Sequence, residues 1–318
     1  MMMNESSIEK YGGKMKLGLM SAILADKSFE EMIAMAAEVG YECVEIACWP
    51  KAKAERRYAG VTHIDVEELN EEKAKYVLEY CNRYGIEISA LSYYANALDP
   101  DEATRAFNIS HLKRVIDAAA LLDVNLVGTF IGRDHKKSIE ENYSEFLEVW
   151  PDIINYAENK KVKIMIENCP MWFDSDQWPG GQNLMTTPAM FRRMFKDIPS
   201  EYFGLNFDPS HFIWQHMDYI KPVYEFKDKI FQIHIKDVKV FLDKLDDVGI
   251  MASPLSYMAP KLPGLGDVNW DQFVSALYDI GFAQNACVEV EDRGFEENEE
   301  RIKGSLVLSY RYIRQYII

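Results

Sequence analysis

The stretch Val162-Lys-Ile-Met-Ile-Glu167 is a short run of mainly apolar residues that ends in a carboxylate. Its length and its Val and Ile content are typical of a buried strand in a parallel sheet. Seven other stretches of similar length and composition follow the same pattern, and the segments between them carry apolar residues at helical spacing. The predicted strands are 16–20, 43–47, 86–91, 125–130, 162–167, 203–208, 230–235 and 286–290.

This alternation predicts an α/β protein whose eight strand–helix units close into a single (β/α)8 barrel. An open, doubly wound sheet is the alternative, but it usually has a glycine-rich turn after its first strand, and here that position reads Met20-Ser-Ala-Ile-Leu-Ala. No Pro/Ser-rich linker divides the chain, so we predict one barrel over 15–318 after a polar lead-in of 1–14. The interval 238–268 is too long for an ordinary strand–helix loop and is a candidate lid.

The charge of the chain limits its partners. The 318 residues include 35 Lys and Arg against 51 Asp and Glu, a net charge of −16. This argues against a nucleic-acid groove and against docking on an anionic membrane. No apolar run is long enough to span a bilayer, and the amino terminus does not resemble a signal peptide. The five cysteines form no C-x-x-C pair, so we expect a cytoplasmic protein with neither disulfides nor a thiolate zinc site.

Four polar residues lie at the ends of four consecutive predicted strands: Glu167, Asp208, His234 and Glu289. The strand ends of a barrel meet at one rim, where active sites lie. Three carboxylates at one rim repel one another unless a cation lies among them. Oxygen ligands with one imidazole favour Mn²⁺ or Mg²⁺ and also admit Co²⁺ or Zn²⁺. Any one of these residues alone is more often a cap, an ion-pair partner or a core residue, so the prediction of one divalent ion depends on all four.

Several motifs make the chain resemble the sugar isomerase/epimerase family of xylose-isomerase-like TIM barrels. The resemblance covers nearly the whole chain from about residue 15, and its D-P-S-H and H-I-K-D runs are specific for the superfamily but not for a substrate. A proline-glycine loop before the seventh helix is similar as well. The motifs are Ile166-Glu-Asn168, Phe207-Asp-Pro-Ser-His211, Ile233-His-Ile-Lys-Asp237, Leu262-Pro-Gly-Leu-Gly-Asp-Val-Asn-Trp270 and Val288-Glu-Val-Glu-Asp292.

The resemblance implies roles for individual residues. It implies that Glu167, Asp208, His234 and Glu289 bind the metal, and that the two glutamates are the acid/base pair that flanks the substrate carbon. It also implies that His211 contacts a substrate oxygen. The glutamate of the last strand is ambiguous, because Glu289 and Glu291 have the same parity. We favour Glu289, which is deeper in the strand.

Other residues near the rim are candidates for substrate contacts. Glu45 and Trp49 have the inward parity of the second strand, and Lys236 lies one strand repeat beyond His234. Tyr93, Tyr94 and Trp172 come in loops after strands and could form an apolar wall for a sugar ring. For each, plain packing or a solvated side chain is the competing interpretation.

Together these features predict a divalent-metal-dependent epimerase or aldose–ketose isomerase that acts on a small, unphosphorylated sugar or polyol through an enediolate. A dehydratase of a cyclic keto-polyol is the alternative, since it would use the same metal and bases. A sugar-binding barrel without catalysis is a second alternative, which the complete ligand set disfavours. The resemblance also allows a homo-oligomer. Against a phosphorylated substrate, the segment 289–300 after the last strand is dense in carboxylates, although the Pro263-Gly-Leu-Gly266 amides, Arg133 and Lys236 could serve a phosphate.

Overall fold

Eight parallel strands pair edge to edge in the computed structural model, which describes residues 14–51, 59–171 and 180–317. Each barrel strand pairs with the next one, and the last pairs back with the first, so the sheet is closed. This confirms the single (β/α)8 barrel predicted from the sequence. The barrel strands are β1 (Lys16–Met20), β2 (Cys43–Ala47), β3 (Glu87–Ser92), β4 (Leu126–Thr129), β5 (Lys163–Glu167), β6 (Phe203–Phe207), β7 (Ile230–Ile235) and β10 (Asn285–Val288).

Helices follow the strands and cover the outside of the barrel. Local sequence signals fix their ends: Ser28 and Glu31 form a capping box at the start of the first helix, and Gly40, with φ +110°, ends it. The helices are α1 (Phe29–Val39), α2 (Glu71–Tyr84), α3 (Glu102–Leu121), α4 (Ile139–Asn159), α5 (Pro188–Asp197), α6 (Ser210–Ile213), α7 (Lys221–Glu225), α8 (Leu242–Val248), α9 (Trp270–Asp279) and α10 (Glu299–Arg314). None of the helices in the described part of the chain combines the length and the apolar character needed to cross a membrane.

The strand register sets which side chains share a level inside the barrel. Glu167 of β5 pairs with Asn206 of β6, and His234 of β7 pairs with Cys287 of β10. Since side chains alternate between the two faces of a strand, the inward position after Cys287 is Glu289. The register therefore brings the carboxyl ends of β5, β6, β7 and β10 together at one end of the barrel, which we call the mouth.

The interval after β7 forms its own small substructure. Strand β8 (Asp237–Val240) pairs antiparallel with β9 (Met258–Lys261), and α8 lies between them. The buried carboxylate of Asp237 fixes the loop between β9 and α9. It accepts hydrogen bonds at 2.8–3.0 Å from Nε1 of Trp270 and from three amides, those of Val238, Gly264 and Val268. The interval 238–268 is thus an ordered excursion, and its action as a lid stays a prediction.

Two elements differ from the sequence-based expectation. The helix expected over 65–84 begins at Glu71, because Asn70 accepts a hydrogen bond from the amide of Lys73 and caps it there. The sequence predicts a helix near 219–226, and the structure has the shorter α7 there, while the preceding short helix α6 was not predicted. Of the predicted lead-in, residues 1–13 lie outside the described residues, and so does Trp172.

Candidate metal and active site at the barrel mouth

The four residues predicted to bind a metal meet at the mouth. Glu167 ends β5, Asp208 directly follows β6, and His234 lies in β7. Glu289 follows β10, and its amide donates to the carbonyl of Ile235 at 3.1 Å, which continues the strand pairing. Ligand atoms of Glu167, His234 and Glu289 all lie within 4.8 Å of one another. The fold therefore gathers three of the four predicted ligands around one point, and Asp208 lies beside them.

An ammonium group lies among these carboxylates. Nζ of Lys236 is 2.6 Å from Oε2 of Glu289, 3.2 Å from Oδ2 of Asp208 and 3.5 Å from Oε1 of Glu167. It is also 3.3 Å from Oε2 of Glu291. The Lys236 side chain is only 3% exposed. The residue that we predicted to contact a substrate oxygen is thus the internal counter-ion of the carboxylate cluster in this structure.

The structure distinguishes the two glutamates that share parity on the last strand. Oε2 of Glu289 is 3.3 Å from Nδ1 of His234, and its side chain is 15% exposed. Glu291 contacts Lys236, and its side chain is 28% exposed. Glu289 is accordingly deeper and nearer to the other predicted ligands.

Neighbouring charges at the mouth favour the charged forms of Glu167, Lys236 and His234. Burial alone would raise the pKa of Glu167, but the Lys236 ammonium and the imidazoles of His211 and His234 hold it well below its usual range. Burial would lower the pKa of Lys236, and the surrounding carboxylates, Glu289 foremost, raise it instead. The pKa of His234 is raised in the same way, against its burial, by neighbouring carboxylates. The site is therefore a dense group of opposite charges shielded from water.

Three buried polar atoms at the mouth have ion-pair contacts at 3.2–3.3 Å but no well-aligned hydrogen bond in the part of the chain that the structure describes: Oδ2 of Asp208, Nε2 of His211 and Nδ1 of His234. Buried polar atoms are seldom left in this state. Oxygens and imidazole nitrogens together are a donor set that divalent cations accept. The residues present therefore fit such an ion, but the ion and the Lys236 ammonium need the same oxygens.

His211, predicted to contact the substrate, lies in α6 at the edge of this group. Its Nε2 is 3.3 Å from Oδ2 of Asp208 and 3.4 Å from Oε1 of Glu167. Together with Glu167 and Cys169, it forms a second set of potential ligand atoms within 4.8 Å of one another. A thiol in this position adds a soft ligand, which zinc tolerates better than manganese or magnesium.

Two asparagines position the backbone of the site, and sequence reasoning gave them no role. Asn168 donates to the carbonyl of Asp208 and accepts from the amide of the same residue, at 2.9 and 2.8 Å. Asn183 donates to the carbonyls of Glu167 and Cys169 at 2.9 and 2.7 Å. The sequence signal for Asn168 was its place next to Glu167, whereas Asn183 lies further along the same connection between β5 and α5, where no local pattern marks it.

The remaining candidates lie on the β2 side of the barrel. Glu45 is fully buried in β2, where its carboxylate contacts Tyr94, Gln232 and His234. Trp49 is partly buried and packs edge-to-face on Tyr93, with ring centroids 4.9 Å apart. Neither lies among the carboxylates that surround Lys236. Apolar residues around Trp49 form one wall near the mouth: Met20, Ala22, Ala47, Val61, Tyr94 and Phe130.

The fold is a closed parallel barrel with the predicted metal-binding residues at the ends of β5, β6, β7 and β10, and a sequence match shows the family to which this barrel belongs. The pattern of the xylose isomerase-like TIM barrel family matches residues 33–311. The chain belongs to this family, which confirms the resemblance seen in its motifs. The chain is also 25% identical over 306 residues to the uncharacterized protein YfiH of Bacillus subtilis strain 168, covering 87% of this chain and 93% of that protein.

Solved structures share the fold at low sequence identity. The IOLI protein with a bound zinc atom has a TM-score of 0.70 and 20% identity, over 95% of this chain and 99% of that one. D-psicose 3-epimerase from Clostridium cellulolyticum H10, solved with D-tagatose, has a TM-score of 0.67 and 14% identity, over 95% and 99%. The probable 3-DHS dehydratase AsbF of Bacillus anthracis has a TM-score of 0.67 and 16% identity, over 93% and 100%.

Proposed function

We propose that this chain is a divalent-metal-dependent epimerase or aldose–ketose isomerase that acts on a small, unphosphorylated sugar. The observation that carries the proposal is the meeting of Glu167 and Glu289 around one cation position, with Asp208 and His234 beside it. The membership of the family and the likeness to ketose 3-epimerases support it. Mn²⁺ or Mg²⁺ suits the oxygen-rich set best, and Zn²⁺ or Co²⁺ suits it next.

In the proposed reaction, the side chains at the mouth have separate roles in binding the sugar and in moving its proton. A bound ion would polarise the sugar carbonyl and balance the charge that develops on its oxygen. One of the carboxylates, Glu167 or Glu289, accepts the proton from the carbon beside the carbonyl, which leaves an enediolate. The other, in its protonated form, returns a proton to the opposite face of that carbon in an epimerase, or one carboxyl returns it to the neighbouring carbon in an isomerase. His211 is placed to donate to a substrate oxygen at the edge of the site.

Hydrogen bonds at the mouth favour an unphosphorylated substrate. The amide of Gly264 donates to Asp237 at 2.9 Å, and the amide of Leu265 donates to the carbonyl of Leu262 at 2.9 Å. The two cations that could otherwise serve a phosphate are engaged as well, since Lys236 lies among carboxylates and Arg133 donates to the carbonyl of Gly180 at 2.7 Å. These donors are therefore already used within the protein.

The dehydratase alternative begins with the same proton transfer. A dehydratase removes a proton beside a carbonyl and then protonates a leaving hydroxyl, for which His211 or Lys236 is a suitable donor. The likeness to the probable dehydratase AsbF keeps this alternative open. It differs from the epimerase in its product, which has lost one molecule of water.

Proton NMR in D2O tests the proposal directly. The protein is freed of metal with a chelator, supplied with Mn²⁺, Mg²⁺, Co²⁺ or Zn²⁺, and mixed with a panel of ketoses, aldoses and cyclic keto-polyols. We expect metal-dependent turnover with solvent deuterium at the carbon that changes. A new enone or diketone would instead indicate the dehydratase, and turnover with full retention of the substrate hydrogen would contradict proton transfer.

Matched variants assign the two bases in the same assay. Glu167→Gln and Glu289→Gln keep the side-chain shape but cannot accept a proton, so each should lower kcat by about 10² to 10⁴ at saturating metal. Glu291→Gln, two residues further along, is the control and should retain most of the activity. A Glu291→Gln enzyme as inactive as Glu289→Gln would show that the last strand contributes the other glutamate.

A further inference from the structure

A carboxylate lies inside the barrel, below the group of predicted metal ligands. Glu45 is 0% exposed and belongs to β2, across the barrel from β6 and β7. An ionised carboxylate is costly to bury unless protein donors replace the water around it. The donors around Glu45 therefore indicate what it does.

Both oxygens of Glu45 accept hydrogen bonds from buried side chains. Oε1 accepts from the Tyr94 hydroxyl at 2.8 Å, and that hydroxyl accepts from Nδ2 of Asn206 at 2.9 Å. Oε2 accepts from Nε2 of Gln232 and from Nε2 of His234, the latter at 2.9 Å. Because the Glu45 carboxylate accepts from three donors and has no exposed surface, it is not accessible to a sugar bound at the mouth.

The bond to His234 fixes which imidazole nitrogen faces the mouth. A carboxylate can only accept, so Nε2 of His234 must carry the proton in this contact. Nδ1 is then the nitrogen directed at Glu167 and Glu289, at 3.7 and 3.3 Å from their oxygens. A carboxylate that holds the far nitrogen of a ligating histidine orients the ring and makes the near nitrogen a better ligand.

We propose that Glu45 is a positioning residue that acts through His234 and sets the affinity of the mouth for its divalent ion, rather than a substrate contact as the sequence suggested. The inference rests on the proposed metal-dependent function. Gln232 donates to the same oxygen of Glu45 as His234, whereas Tyr94, which follows β3, donates to the other oxygen. Glu45 touches neither the substrate nor the ion.

The test is isothermal titration of the metal-free protein with Mn²⁺, combined with steady-state kinetics. Glu45→Gln keeps the size of the side chain but removes the charge that His234 faces, so Mn²⁺ affinity should fall about 10- to 100-fold. At saturating Mn²⁺, KM for the sugar should equal that of the wild type and most of kcat should return. Tyr94→Phe is the matched control, because it removes the donor to the other oxygen and leaves the His234 contact intact; its affinity should change less than about threefold.

The possible results of this titration distinguish failure of the inference about Glu45 from failure of the proposed function. Unchanged Mn²⁺ affinity in Glu45→Gln with a raised KM would overturn the inference and make Glu45 a substrate contact. A wild-type protein that binds no divalent ion would overturn the proposed function itself. If Glu45→Gln does not fold, NMR of imidazole protons in the metal-free wild type decides: a slowly exchanging Nε2–H of His234, absent in His234→Gln, supports the contact, and a freely exchanging proton contradicts it.

Discussion

At the scale of single residues, the Lys236 ammonium lies where the proposed ion would bind. Its ammonium is within 3.5 Å of oxygens from Glu167, Asp208 and Glu289, the carboxylates that an ion would need. Two cations cannot share these oxygens at close range without strong repulsion. Under the proposed function, the ammonium would therefore stabilise the metal-free protein and compete with the ion.

This competition gives a prediction for Lys236→Met. Removal of the ammonium leaves the buried carboxylates without a counter-ion, so the metal-free variant should lose about 3 kcal/mol of unfolding free energy. The same change should tighten Mn²⁺ binding by about tenfold or more, because no cation has to be displaced. Denaturant unfolding and metal titration measure the two effects. Lys239→Met, at an exposed pair with Asp267, is the control, and equal or weaker Mn²⁺ binding in Lys236→Met would refute the competition.

The place of the proposed ligands at the mouth could be predicted because strand parity is local information. Glu167 and His234 were identified from the period of two along their own strands, and the structure places both at the mouth. The central place of Lys236 could not be derived in this way, since it depends on how far its stem reaches towards three other strands. The hydrogen bonds that bury Glu45 could not be predicted either, because their donors are distant in sequence: Tyr94 follows β3, and Gln232 and His234 lie in β7.

At the scale of elements, the amides of the loop before α9 are held within the protein. Asp237 holds the amides of Gly264 and Val268, and Asp267 donates its own amide to the carbonyl of Val238 at 2.8 Å. A phosphate would have to displace these contacts before it could use the amides. The excursion of β8, α8 and β9 is therefore tied to the loop that most resembles a phosphate cradle.

We predict that each sugar substrate is turned over with a higher kcat/KM than its phosphate ester at matched metal concentration. The carboxylates after β10 and the occupied amides both disfavour a dianion there. Steady-state kinetics on sugar and ester pairs measure this preference. A hundredfold preference for an ester would correspond to about 2.7 kcal/mol of transition-state binding at an unrecognised phosphate site, and would contradict the prediction.

The strands were predictable as elements because each is a short apolar run closed by polar residues. The β8–β9 pair was not, since Val238 pairs with Pro260, more than twenty positions away, and nothing local signals the partner. The helix expected near 219–226 was shortened for a local reason, because Pro222 lies at the start of α7, where its missing amide is tolerated only in the first turn.

At the scale of the whole molecule, closure of the barrel turns scattered residues into one site. Glu45 and Glu289 are 244 positions apart, yet both lie within 3.3 Å of the imidazole of His234. The alternation of strands and helices predicted this closure, and the family pattern over residues 33–311 agrees with it. The sequence did not determine the levels at which opposite strands meet, because these depend on the stagger of the closed sheet.

The central claim is that Glu167, Asp208, His234 and Glu289 hold one divalent ion per chain. Metal analysis of the wild type and of His234→Ala, after chelation and reloading with Mn²⁺, tests it most directly. We predict one equivalent of bound ion in the wild type and loss of both ion and activity in the variant, with the fold retained in circular dichroism. A wild type without bound ion, or a variant that keeps a full equivalent, would contradict the claim.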